Sequence, residues 1–211
     1  VWHTDVTAEL CANFSDIMDT NDSTQEKIEK SFYILPPRLN VMVSTTNEDN
    51  SNNLAPYCEF TKIYGNYFVI GMDKKRDTYK NIKNTKECVI SLLPIEFADK
   101  ISKAGKPYEY GISEFEKTGL TPEKANKVNA PIVKEAIVNY ECKLHEIIEV
   151  ENAVVIVVKV IDAHFDENII KEDEVNTRMS SKAAFHVAKG RLFWSIGNKD
   201  ITDSGVDHKV I

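Results

Sequence analysis

The first sustained alternation of apolar and polar positions is "RLNVMVSTT" (38–46). Leu39, Val41 and Val43 share one parity against Asn40, Met42 and Ser44, so the pattern predicts a strand with one apolar face. "PYCEFTKIY" (56–64) alternates in the same way and is expected as the next strand, with Tyr57 and Phe60 on opposite sides. "NYFVIGM" (66–72) follows a Gly65-Asn66 turn as a third. The period then changes. "RDTYKNIKNTK" (76–86) predicts a short helix with Asp77 as its N-cap and Ile82 as its main apolar anchor. "ECVISLLP" (87–94) reads as a strand, and "PIEFADKISKAG" (94–105) as a helix with Pro at its start and Gly at its end.

The stretch 108–133 keeps no period, and its Gly and Pro content marks turns and a long excursion. Two long strands are expected over 135–152 and 153–168, with Glu151-Asn152 turning between them, and a last one over 191–197. Residues 1–30 are polar, acidic and weakly patterned, apart from a short helix within 23–32 capped by Ser23 or Thr24. The expected organisation is an N-terminal extension (1–30), one domain (31–197) and a C-terminal tail (198–211). Strands joined by hairpins and excursions, rather than alternating with long helices, argue against a doubly wound sheet. The predicted class is mainly β: a closed or nearly closed antiparallel barrel with peripheral helices.

Composition narrows the function classes. A chain of 211 residues can build its core without disulfide or metal staples. A net charge of -7 argues against a general nucleic-acid binder, while leaving room for a small basic pocket. The apolar run "AVVIVVKVI" (153–161) is too short to span a bilayer as a helix. The first residues have neither a basic start nor an apolar core, so no secretory signal is expected. The four cysteines, at 11, 58, 88 and 142, are widely spaced and read as reduced thiols of a cytoplasmic protein.

Common catalytic signatures are missing. The sequence has no GxGxxG, no P-loop and no G-x-S-x-G. Its five histidines show no metal-ligand spacing, and the acidic run "HFDENIIKEDE" has the composition of a solvated loop. One neighbourhood stands out. "VSTT" ends a strand, "NNLAPY" enters the next, and "KKRDTYKNI" opens a helix. Ser44, Thr45 and Thr46 offer hydroxyls; Asn52 and Asn53 offer amides; Lys75 and Arg76 offer charge beside a helix N-terminus. Leu54-Ala55-Pro56 would hold the chain extended against the edge of a planar group. Each part alone is ordinary; together they suit a planar, anionic ligand.

The combination S-T, N-L-A-P-Y-C-E-F, basic residues before D-T-Y-K-N-I, and the step Ala130-Pro131 resembles the flavin reductase-like, FMN-binding split-barrel family, flavoredoxin-like proteins included. The resemblance runs from about Ser31 to Trp194. It implies a six-stranded antiparallel Greek-key barrel, usually in a homodimer, with FMN in a groove near the subunit interface. It also implies Ser44 and Thr45 at the phosphate or ribityl chain, and Asn53, Leu54, Ala55 and Pro56 along the isoalloxazine. Cys58 stands near the phosphate, where many relatives have Ser. Lys75, Arg76 and Thr78 would form the phosphate turn, and Ala130 and Pro131 would lie near the flavin or the dimer contact.

The sequence departs from the family in two places. The loop "NEDNSNN" is more acidic than the Gly-bearing loop common in relatives, and Cys58 is a poorer hydrogen-bond donor than Ser. A reactive thiolate at Cys58, beside Lys75 and Arg76, is the minor reading. The activity implied is NADH- or NADPH-dependent hydride transfer to FMN and on to an acceptor. The alternatives are an FMN electron carrier without pyridine-nucleotide activity, or a structural dimer that has lost its flavin.

Overall fold

The computed structural model describes residues 23–188 and 192–195. The expected tail, Cys11, and most of the expected extension lie outside the described residues. The chain separates into two compact units with the boundary between Pro36 and Pro37. In the first, helix α1 (Ser23–Ser31) leads into a single 3-10 turn (Phe32–Ile34). Phe32, Tyr33, Ile34 and Leu35 are all exposed.

The second unit is built on a sheet of seven hydrogen-bonded segments: β2 (Val41–Thr46), β3 (Asn52–Tyr57), β4 (Phe60–Lys62), β5 (Tyr67–Asp73), β6 (Glu87–Leu92), β9 (Val138–Val150) and β10 (Ala153–Phe165). Their order is β3-β2-β6-β9-β10-β5-β4, every pair antiparallel. The two ends of that order, β3 and β4, are separated in the chain only by Cys58 and Glu59. One bent strand therefore serves both edges, and the sheet curls into a six-stranded split barrel of Greek-key type. Strands β3 and β4 each keep one edge without a strand partner among the described residues.

The bend corrects the expectation of one continuous strand over 56–64. Pairing with β2 runs through Tyr57, and pairing with β5 begins at Phe60. Tyr57 and Phe60 consequently pack on the same core rather than on opposite faces. Gly71 makes the turn possible. Its N–H donates to the Glu59 carbonyl at 2.7 Å, and a Cβ there would come within 3.1 Å of the Glu59 Cβ.

The barrel core is Val41, Val43, Phe68, Ile70, Ile82, Cys88, Ile90, Cys142, Val154, Ile156 and Val158, all buried. The alternation in β5 (Phe68, Ile70, Met72 buried) is the pattern visible in the sequence. Helix α2 (Asp77–Thr85) closes one end with Ile82 inward, and Lys86 ends it in the left-handed conformation. Its cap differs from expectation. Arg76 is the N-cap residue, Asp77 is the first helical residue, and no side chain caps the helix.

The excursion 108–133 holds helix α4 (Glu114–Thr118) and two short strands, β7 (Pro122–Glu123) and β8 (Ile132–Val133). It follows α3 (Ala98–Ala104), which packs Ile101 and Ala104 into a second core with Leu54, Phe115 and Leu120. Side chains satisfy much of its irregular backbone. The fully buried Glu141 carboxylate accepts N–H donors from Asn126 (2.7 Å), Lys127 and Val128 (3.1 Å), and meets His164 Nε2. A separate three-stranded sheet pairs β1 (Arg38–Leu39) with β11 (Phe185–Ala188) and β12 (Leu192–Trp194), the last two following α5 (Glu174–Ser180). No helix among the described residues is long and apolar enough to cross a membrane.

Candidate functional site

A cleft of about 380 Å³ opens beside β3, inside the usual range for a cofactor pocket. Its walls come from several elements, Gly71, Met72 and Asp73 of β5 and the pair His186 and Phe193 among them. The β3 strand supplies Asn53, Ala55, Pro56 and Tyr57, and the bend supplies Cys58 and Glu59. The start of α2 supplies Arg76, Asp77 and Thr78, and the far wall runs from Ser102 through Tyr108, with Glu114 beneath.

Asn53 organises the floor. Its side-chain oxygen accepts from Thr45 Oγ1 at 3.1 Å and Thr78 Oγ1 at 3.2 Å, and its amide nitrogen reaches both Glu114 oxygens at 3.3 Å. Asn81 extends the network, donating to Thr45 Oγ1 at 2.9 Å and Asn47 Oδ1 at 2.6 Å. Glu114 Oε2 also accepts the Leu54 backbone N–H at 2.9 Å. Strand β3 thereby gains a side-chain partner on the edge that no strand covers.

Six of the twelve residues singled out from the sequence line this cleft: Asn53, Ala55, Pro56, Cys58, Arg76 and Thr78. The other six stand behind it or beside it. Ser44 is fully buried, and its hydroxyl donates to the Pro131 carbonyl, tying β2 to the excursion. Thr45 is buried in the Asn53 network. Leu54 points into the second core, and Ala130 into a third small one around Val89. Pro131 is buried, and Lys75 is exposed outside the lining. The acidic loop after β2 is a tight turn in which Ser51 N–H bonds Asp49, and it does not line the cleft.

Glu114 is the residue the sequence did not disclose. Its only signal is the bracket Ser113…Gly119 around one helical turn, with Gly119 in the left-handed conformation. Burial pushes its carboxyl pKa upward; the Leu54 N–H opposes this, and Asp77 adds to it.

Two other groups beside the cleft are shifted upward. Burial raises the Tyr57 phenol to about 12, against the nearby Thr78 hydroxyl and the Arg76 charge. Burial and then Glu59 raise the Cys58 thiol to about 11. Cys58 is therefore a thiol near neutral pH, which removes the reactive-thiolate reading. Glu141, Asp162 and His164 converge with ligand atoms within 4.8 Å of one another, but the Glu141 oxygens already accept three backbone donors.

Two observations mark the cleft as built for a polar ligand. Among the described residues Asn40 Oδ1 and the Tyr57 hydroxyl are buried without a hydrogen bond of ordinary geometry, and both residues line the cleft. The uncapped N-terminus of α2 also opens there, with Arg76 beside it. Among the described residues the Arg76 guanidinium makes no ion pair. An uncapped helix start and a guanidinium without an ion pair are groups that an anionic ligand can use. A flavin phosphate fits this donor set.

The curled antiparallel split barrel defines the fold class. Residues 37–182 match the model of the flavin reductase like domain, and the chain belongs to that family of flavin-related oxidoreductases. An uncharacterized protein of Aquifex aeolicus is 33% identical over 165 residues, covering 72% of this chain and 83% of its own length. Nitrilotriacetate monooxygenase component B from Bacillus cereus superposes with a TM-score of 0.77 at 21% identity, covering 88% of this chain and 97% of that one. An FMN-binding protein from Thermus thermophilus gives 0.69 at 18% identity, covering 82% and 93%.

Proposed function

We propose that the protein binds FMN in this cleft and acts as an oxidoreductase drawing on NADH or NADPH. The observation that carries the reading is the uncapped start of α2, opening on the cleft beside the unpaired Arg76. The name of the Thermus structure supports the choice of FMN. When bound, the flavin supplies the hydride and electron chemistry.

The chain's own residues divide the rest. Arg76 and the first-turn N–H groups of α2 hold the phosphate, with Thr78 beside them and Lys75 adding long-range charge. Asn53, Ala55, Pro56 and Cys58 line the flavin along β3. Ser44, Thr45, Leu54, Ala130 and Pro131 hold that strand from behind, as their burial indicates. No protein acid or base is required of them. The reading includes a homodimer, supported by exposed Ile148, Val150 and Phe165 on the β9–β10 hairpin, and a cytoplasmic setting, supported by facing but unbonded Cys88 and Cys142.

The test is the visible spectrum of the purified protein, incubated with FMN and then mixed anaerobically with NADH or NADPH. Prompt bleaching of a bound flavin supports the reductase. A flavin that bleaches only with dithionite makes the protein a carrier fed by another donor. Failure to bind FMN at all rejects the site.

A further inference from the structure

A second cavity, of about 350 Å³, lies on the other side of a shared wall. The wall is the β1–β11 pair together with β4, and neighbouring residues in it face opposite ways. Asn40, Glu59 and His186 line the cleft already described, while Leu39, Phe60 and Phe185 line the second cavity. The period of two along a strand produces this division, and Leu39 and Phe185 are register partners.

The two cavities differ in chemistry. The first is lined by four carboxylates: Glu59, Asp73, Asp77 and Glu114. Among the described residues the second has none. Four aromatic rings line it, from Phe60, Phe68, Tyr140 and Phe185, with Phe68 packed 5.0 Å from both Phe60 and Tyr140. Its charged residues are two cations, Arg178 and Lys182. Arg178 already pairs with Glu174. Among the described residues the Lys182 ammonium has no acidic partner.

The backbone at Lys182 is held in place. Its φ is 51°, the left-handed region that a long side chain seldom adopts. The Ile95 N–H bonds its carbonyl at 2.9 Å, and the Ala184 N–H bonds the Leu93 carbonyl at 3.1 Å. Local strain fixed by surrounding bonds is a feature of ligand clamps.

We propose that this second cavity binds a small, flat, apolar anion of the aromatic-carboxylate class, with its rings among Phe60, Phe68 and Phe185 and its carboxylate at Lys182. Cation, aromatic lining and absence of acids act together: the rings reward desolvation of a flat apolar body, and the lone ammonium selects a negative head. Tyr140, whose phenol burial keeps protonated, adds a neutral hydroxyl. The site does not depend on the flavin reading, since its lining shares no residue with the first cleft.

The test is calorimetric titration with 2-naphthoic acid, with 2-naphthalenemethanol as the uncharged probe, in the presence and absence of FMN. The expected result is one site with a Kd on the order of 100 µM or tighter, as a ligand of this size allows. The neutral probe should bind about tenfold more weakly, a difference of one charge-assisted contact. Lys182→Asn, which tolerates the left-handed backbone, should remove that preference, and Ala183→Leu, at a small residue of the cavity lining, should block both probes. Absence of binding, an unchanged preference in Lys182→Asn, or displacement of the acid by FMN would each overturn the proposal.

Discussion

The carboxylate of Glu114 accepts the backbone N–H of Leu54 at 2.9 Å across 60 residues of chain. It joins the one-turn helix α4 to the strand that walls the cleft, and it is buried while doing so. Glu114→Ala leaves the Leu54 N–H and the Asn53 amide without their acceptor and should cost about 1–3 kcal/mol, read by thermal or urea unfolding. Glu114→Gln keeps an acceptor and should cost less.

The same residue sets a pH dependence of stability. Burial, assisted by Asp77, raises its carboxyl pKa above the ordinary value of 4.5. A raised pKa means that the folded state holds the proton more tightly than the unfolded chain. This contribution is present below 4.5 and fades as pH rises through the raised value. The wild type should lose stability relative to Glu114→Gln across that window. Parallel unfolding curves at every pH would contradict it.

Glu141 has the opposite sign. Burial works to raise its pKa, but the N–H donors of Asn126 and Lys127, with His164, outweigh it and hold the carboxyl below the usual range. Its contribution is present above the unfolded value and lost as pH falls through the lowered one. Glu141→Ala strands three backbone donors, so a loss of about 3 kcal/mol or more is expected. Acid titration of the variant should show a flatter approach to unfolding than the wild type.

Arg76 separates binding from folding. Its side chain is exposed and packs in no core, so Arg76→Ala should shift stability by less than about 0.5 kcal/mol. FMN affinity should fall about tenfold to a hundredfold, while riboflavin, which has no phosphate, should be unaffected. Asn53→Ala should lower both flavins' affinities and also destabilise the fold, since it removes the hub of the floor network.

Cysteine reactivity follows from burial. The Cys58 thiol stands near 11, and Cys88 and Cys142 face each other fully buried across β6 and β9. None of the three should be alkylated quickly by iodoacetamide at pH 7.5 in the native protein. All three should react after unfolding, as peptide mapping would show.

Strand β5 and the second half of β10 were legible because a half-buried strand must alternate. Strands β2 and β6 are buried on both faces instead of showing one apolar face, because Met42 packs in the second core while Val41 and Val43 pack in the barrel, and they were legible as short apolar runs between turns. Local signals also marked α2, although they put its cap one residue late, at Asp77 rather than Arg76. The "NNLAPY" and "RDT" segments drew attention because polar groups in short range leave a mark on composition. Which of those residues face the cleft did not, because Ser44 and Thr45 spend their hydroxyls on partners far along the chain. Closure at Cys58-Glu59 was likewise hidden, since a bend that swaps one pairing partner for another leaves the alternation nearly intact. Glu114 and Glu141 look like any exposed acid in the sequence. Only long-range folding brings backbone donors to their carboxylates, and a carboxylate is buried only where such donors offset its desolvation. Sequence alone determined the barrel class and pointed to the residues around the cleft; tertiary structure decided which polar groups hold the scaffold and which line the cleft.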